Sequence, residues 1–152
     1  MEQEEVKFDH NHAQVLLEES KQRLDVLRRQ ITPGDLTEFK SLSNPPRMAG
    51  DLACAFLVLL GHSNCAWGTF KAEIKIGSRF IEKLAPISVD MVDDATMRRV
   101  TEYVNPPAFN VNRLKAVSAA SASLGEWLIS FIRYWRDYKQ INSFIQLAQD
   151  TK

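Results

Sequence analysis

The side chains able to do chemistry are few, and their spacing does not assemble them. His10 and His12 lie in a polar leader without an acidic or cysteine companion at ligand spacing, so they read as surface histidines rather than metal ligands. His62 follows a helix end, where an imidazolium favours the local dipole. Cys54 falls in an apolar helical run and Cys65 in a loop; without paired Cys-x-x-Cys spacing they argue against both a zinc site and a disulfide scaffold. Asp93 and Asp94 read as a helix start, and the acidic run Glu2 to Glu5 as a solvated leader. No phosphate-cradling glycine loop and no nucleophile elbow occurs. Trp127, Tyr134 and Trp135 stand at helical spacing and read as core rather than a cofactor box. The expectation is a protein that is not an enzyme, with no metal and no cofactor.

Composition points the same way. Of 152 residues, 45% are hydrophobic and 25% charged, an ordinary folded balance. Lysine plus arginine equals aspartate plus glutamate at 19 each, so an electrostatic partner must meet a local patch, and no nucleic acid is expected. The acidic N-terminus lacks a signal-peptide core, and the apolar run Leu52 to Gly61 is too short for a bilayer. A soluble chain in a reducing cytoplasm, with no membrane partner, is the reading.

The elements are helical. Ala13, Leu17, Ser20, Leu24, Leu27 and Ile31 recur at intervals of 4, 3, 4, 3 and 4, the seam of a coiled coil. Pro33 and Gly34 interrupt it, and Ser43 to Pro46 stop it after Leu36, Phe39 and Leu42. A buried helix then runs from Met48 to a Gly61 cap, with Pro46 suited to its first turn. Trp67, Phe70, Ile74 and Ile76 predict a short helix ended by Gly77, and Ser78 the cap of another reaching Pro86. Ser88 is expected to cap a helix carrying Met97, Val100 and Tyr103, before a break at Asn105 to Pro107. A last helix from near Asn110 runs, with room for a bend, to about Gln149. Along it Trp127, Phe131, Tyr134, Tyr138, Ile141, Ile145 and Ala148 repeat the seam at intervals of 4, 3, 4, 3, 4 and 3. The matching arms predict an antiparallel pair, roughly 30–40 Å tall at about 1.5 Å per residue.

The run Asp35 to Pro46, followed by a helix ending Leu59, Leu60 and Gly61, resembles the start of the microtubule-binding domain of dynein heavy chains. The likeness continues at Trp67, Phe70 and Lys71, at Arg79 to Leu84, and at Tyr103 to Pro106 with Phe109. It returns at Val117 to Ala120 and at Leu124 to Trp127 with Tyr134, covering about residues 13 to 145 in order. It implies an all-α chain, a compact bundle of about six helices at the tip of a short antiparallel two-helix coiled coil. Residues 1–12 would form a disordered leader, 13–43 the ascending stalk helix, 44–123 the microtubule-binding head and 124–152 the descending helix. The arms are far shorter than the family's, the nucleotide-hydrolysing ring is absent, and Gly50 falls where cytoplasmic members carry a basic residue. Either a fragment of a heavy chain or a stand-alone relative fits.

The resemblance implies binding to the acidic surface of α/β-tubulin through the first, third and sixth head helices. Matched positions are Arg47 and Met48, Arg79 and Lys83, and Arg113 and Lys115; each cation also reads as a solvated surface charge. Implied too is a sliding register between the arms that sets head affinity. Leu17, Leu24, Leu27 and Ile31 would face Trp127, Phe131, Tyr134, Tyr138 and Ile141 along the main seam. Val15, Leu16, Val26, Leu128, Trp135 and Phe144 lie off it, as a second seam or merely a wider packed face. Pro33, Gly34, Pro45 and Pro46 are the hinges. The partners are the microtubule and the remainder of a heavy chain, the location cytoplasm and cytoskeleton, with Gly50 leaning towards the ciliary axoneme. The rival reading is a helical coiled-coil scaffold or adaptor for another protein.

Overall fold

A computed structural model describes residues 10–42, 44–105 and 109–150. Those residues form helices and turns without a strand: α1 (His10–Gln30), α2 (Pro33–Lys40), α3 (Arg47–Leu59), α4 (Trp67–Glu73), α5 (Gly77–Leu84), a 3-10 turn (Val89–Met91), α6 (Asp94–Tyr103), α7 (Val111–Val117) and α8 (Ala119–Asp150). The all-α expectation holds.

α3 is central because its sequence is apolar on almost every side. Ala49, Leu52, Ala53, Ala55, Phe56, Leu57 and Val58 are all buried, and the helix packs against α4, α6, α7 and α8. Pro46 is its N-cap, one position outside the predicted first turn. At the other end Gly61 adopts φ +89°, and two bonds tie off the last carbonyls: His62 N–H to the Leu57 carbonyl at 2.9 Å and Gly61 N–H to the Val58 carbonyl at 3.1 Å. That is a Schellman stop, which a residue with a Cβ adopts only at a cost.

Several boundaries differ from the sequence reading, each for a local reason. The first break falls at Ile31 and Thr32, and Pro33 and Gly34 belong to the first turn of α2. Thr32 Oγ1 accepts from Asp35 N–H at 3.0 Å while Asp35 accepts from Thr32 N–H at 3.1 Å, a capping box with proline where no N–H is needed. Gly77 opens α5 instead of ending α4, and Ile76, not Ser78, is the N-cap. Asp93, not Ser88, caps the long helix of that region, accepting from Thr96 N–H at 2.8 Å; Ser88 precedes only the 3-10 turn. The last helix is two helices. Ser118 is extended (φ −172°, ψ 159°) and its hydroxyl accepts from Ser121 N–H at 3.0 Å, so it ends α7 and caps α8. His10 to His12, placed in the leader, already belong to α1, while the proline break at Pro106 and Pro107 lies outside the described residues.

α7 folds back along the start of α8 because residue 125 has no side chain. A Cβ on Gly125 would sit 2.1 Å from Leu114 Cδ1 and 3.9 Å from Phe109 Cε1, both side chains being buried. Gly50, in α3, has nothing within 4 Å of such an atom. Gly125→Ala is therefore expected to lower unfolding free energy by about 1–2 kcal/mol, overpacking outweighing helix propensity. Gly50→Ala should raise it by up to about 1 kcal/mol. Urea unfolding followed by circular dichroism measures both; equal effects would refute the packing assignment.

Candidate functional site

Three of the predicted cations stand on two touching helices. Arg47, at the first position of α3, has a side chain 93% exposed, 3.8 Å from the Asp51 carboxylate. Burial raises the Asp51 pKa despite that neighbour. Met48 is half-buried against the core. α7 packs on α3, and Leu114 points into the core, which turns Arg113 and Lys115 on either side of it to the exposed surface. Asn110 starts that helix, its side chain accepting from Arg113 N–H at 3.0 Å. Arg98 and Arg99 on α6, passed over in the sequence, are exposed on a helix that also packs on α3; the signal was a basic pair between the inward Met97 and Val100.

The α5 pair sits differently. α5 packs against α1 and α2, and a Cβ on Gly77 would lie 3.0 Å from Pro33 Cα. Arg79 is exposed there, whereas Lys83 is ion-paired with Glu73, whose side chain is only 6% exposed. Glu73 also holds His62 at 2.7 Å, so one buried carboxylate ties the loop after α3, the end of α4 and α5 together. Burial alone would push the Glu73 pKa up; the hydrogen bonds from Lys83 and His62 and their fields reverse that, and the net shift is downward.

Most residues of the predicted seam are buried or half-buried on α1 and α8. α1 packs along α8; Leu24, Leu27, Ile31, Trp127 and Phe131 are buried, Leu17 and Ile141 half-buried, and Tyr134 and Tyr138 packed partly against the core. Arg23 bridges to Glu126 at 3.0 Å, while Glu18 acts on Tyr134, whose pKa is raised by burial and then by that carboxylate. Rising α1 numbers thus meet falling α8 numbers, the order of an antiparallel pair. The off-seam set divides: Val15, Leu16 and Val26 on α1 are 54, 45 and 46% exposed and Phe144 on α8 is 42% exposed, whereas Leu128 is fully buried. Trp135 donates its indole N–H to the Val92 carbonyl at 2.7 Å, so it is engaged by the head and not held in reserve. Of the hinge residues, Pro33 lies against Gly77 of α5, and Pro45 and Pro46 lie between α2 and α3.

Cys54 donates its thiol to the Cys65 carbonyl at 3.2 Å, and Cys65 donates to Tyr103 Oη at 3.2 Å. Among the described residues no group of three His, Cys, Asp or Glu side chains could hold a metal ion, and no helix is long and apolar enough to cross a membrane.

Exposed cations thus stand on adjoining helices of an all-α chain in which α1 packs along α8. The family model described as the microtubule-binding stalk of dynein motor matches residues 1–151, and the chain belongs to that family, a non-catalytic domain separate from the motor's ATPase ring. It is 24% identical to a ciliary dynein beta chain of Tripneustes gratilla over 71% of its length, and 26% identical to human dynein axonemal heavy chain 14 over 96%. To the dynein-1-beta heavy chain of the flagellar inner arm I1 complex of Chlamydomonas reinhardtii it is 25% identical over 89%. The chain spans only 2 to 4% of the length of these relatives.

Because the folded-state pKa of Glu73 lies below its ordinary value of 4.5, its contribution to stability is present above that value and is lost as pH falls through the lower one. Glu73→Gln should therefore flatten the acid limb of the stability curve below about pH 4.5 while leaving α1 and α8 paired. Thermal unfolding between pH 2.5 and 6 checks this; an unchanged acid limb would refute it.

Proposed function

We propose that the chain binds the microtubule through the face shared by α3 and α7, with Arg47, Arg113 and Lys115 as its principal cations. The single observation carrying this reading is that these three, on two helices in contact, are exposed in a chain of neutral net charge that belongs to the microtubule-binding stalk family. Tubulin's acidic surface supplies the complement. Such charges act through steering and registry, so binding should weaken with salt. Met48 adds apolar contact beside Arg47, Arg79 a flanking cation, and Lys83 contributes through its pairing with Glu73.

The arms set the affinity of this face through their register, and the remainder of a dynein heavy chain drives them. A tenfold change in affinity requires only about 1.4 kcal/mol of differential binding. The exposed Val15, Leu16 and Val26 provide α1 with apolar side chains for a second pairing. Similarity to ciliary, axonemal and flagellar dynein chains supports a place in the axoneme. The same exposed α1 residues favour the second reading, an adaptor that docks another protein.

Co-sedimentation with polymerised tubulin across a salt series separates the two. Binding at low salt that falls steeply with added salt is expected, and the Arg113→Glu, Lys115→Glu double variant should bind at least about tenfold more weakly. Absence of pelleting at low salt would end the microtubule reading; undiminished binding by the double variant would move the site elsewhere.

A further inference from the structure

We propose that Cys54 and Cys65 are a redox pair that closes a reversible disulfide, pinning the loop after α3 to that helix and releasing Tyr103. Cys54, in the middle of α3, and Cys65, in the loop before α4, are both only partly buried, so a small oxidant reaches them. The Cys54 thiol donates to the Cys65 carbonyl at 3.2 Å and is hydrogen-bonded to the Cys65 thiol as well. Cys65 in turn donates to the hydroxyl of Tyr103, the last residue of α6, at 3.2 Å. The loop is fixed on both sides of Cys65. His62 N–H bonds the Leu57 carbonyl at 2.9 Å, and its imidazole holds Glu73. Asn64 Oδ1 accepts from Ala66 N–H at 3.1 Å and from the Thr69 hydroxyl at 2.7 Å. Two thiols presented to each other by a fixed backbone react together far faster than either does with a second small molecule.

The two sulfurs are not equivalent. Burial, then the contact with Cys65 and the fields of Cys65 and Asp51, push the Cys54 thiol up to about 12. Cys65 is therefore the first to react. Its thiol gives a proton to solvent, and the thiolate attacks one sulfur of a low-molecular-weight disulfide, forming a mixed disulfide and expelling one small thiolate. Capping Cys65 removes its field and its hydrogen bond from Cys54. The Cys54 sulfur then attacks the Cys65 sulfur and expels the second small thiolate, which takes the Cys54 proton; the first takes its proton from solvent. Two protein thiols are thereby oxidised by two electrons, and the small disulfide is reduced to two thiols. The product has no S–H for Tyr103, so the tie between the loop and the end of α6 is lost as the one to α3 becomes covalent. Such a bond is transient in a reducing compartment, where cysteine pairs of this kind sense redox state.

The full chain is equilibrated with reduced and oxidised glutathione over a range of ratios, quenched with an alkylating reagent and mapped by peptide mass spectrometry. A single Cys54–Cys65 disulfide in a monomeric chain is expected, with less than about a tenth of chains carrying glutathione on both cysteines. Cys54→Ser should stop at one glutathione on Cys65, whereas in Cys65→Ser the remaining Cys54 should react at least about tenfold more slowly. Tyr103→Phe deletes the acceptor of the Cys65 thiol and should shift the midpoint about threefold towards the disulfide. In the oxidised chain, amide exchange of residues 61–66 should slow at least about fivefold. That of Val104, whose N–H closes α6 on the Val100 carbonyl, should quicken. Two glutathiones per folded chain, disulfide-linked dimers, or no disulfide until urea unfolds the chain overturns the proposal, as does loop exchange that is the same in both states. A Tyr103→Phe midpoint that does not shift overturns the release of Tyr103. The unsubstituted chain decides the pairing even where a variant fails to fold.

Discussion

Five helices of this chain are held together through one line of aromatic rings. Phe56 of α3 stacks on Trp127 of α8 at 5.8 Å, Trp127 stacks on Phe131 at 5.3 Å, and Phe56 meets Phe80 of α5 edge-on at 5.6 Å. Phe70 of α4 meets Phe80 at 5.8 Å and Phe39 of α2 at 5.7 Å. Each such pair adds about 0.5–1.5 kcal/mol beyond the area it buries. Their geometry matters as much as their energy. Offset and edge-to-face rings interlock, so these five helices share one packed core. Trp127, buried on α8, ties that helix to the same cluster.

Short helices surround this block, and their lengths are set by local chemistry. Thr32, Asp93, Asn110 and Ser118 each place an oxygen over the first free N–H groups of a helix, and Gly61 closes α3 in a left-handed turn. Two glycines act through space instead. Gly125 admits Leu114 and lets α7 lie against α8, while Gly77 admits Pro33 and lets α5 lie against the start of α2. The second contact couples the point where α1 gives way to α2 to a helix anchored in the core by Phe80 and Leu84. Electrostatics reinforces the same region, since Glu73 holds Lys83 and His62 from a largely buried position. Packing at Gly77 and the ion pairs of Glu73 thus join α5 to the start of α2, the end of α4 and the loop after α3.

Much of this was legible in the sequence. The 3-4 repeats named Leu24, Leu27, Trp127 and Phe131, and all four are buried. The apolar run after Pro46 named the central helix, because a helix hydrophobic on every side has nowhere else to go. The cations at 47, 113 and 115 were named by the family resemblance, and all three are exposed. What misled was punctuation. Proline and glycine read as a stop at 33 and 34, yet they open α2, since the first turn of a helix requires no N–H from proline. Ser118 was hidden inside an otherwise continuous helical pattern, its signal being one short polar side chain three residues before Ser121.

Periodicity, composition and capping residues by themselves determined that this protein is all helix, where its core stripes lie, and that its two arms match. Those properties are carried by neighbours three and four residues apart. The tertiary structure alone decided which cations stand on touching helices, that Lys83 is engaged by Glu73, and that Trp135 is bonded to Val92, forty-three residues away. Such contacts join segments distant in the chain, and no local pattern encodes them. They arise only when Phe56, Trp127 and Phe80 have brought the helices together, because packing rather than spacing then determines which polar groups find each other.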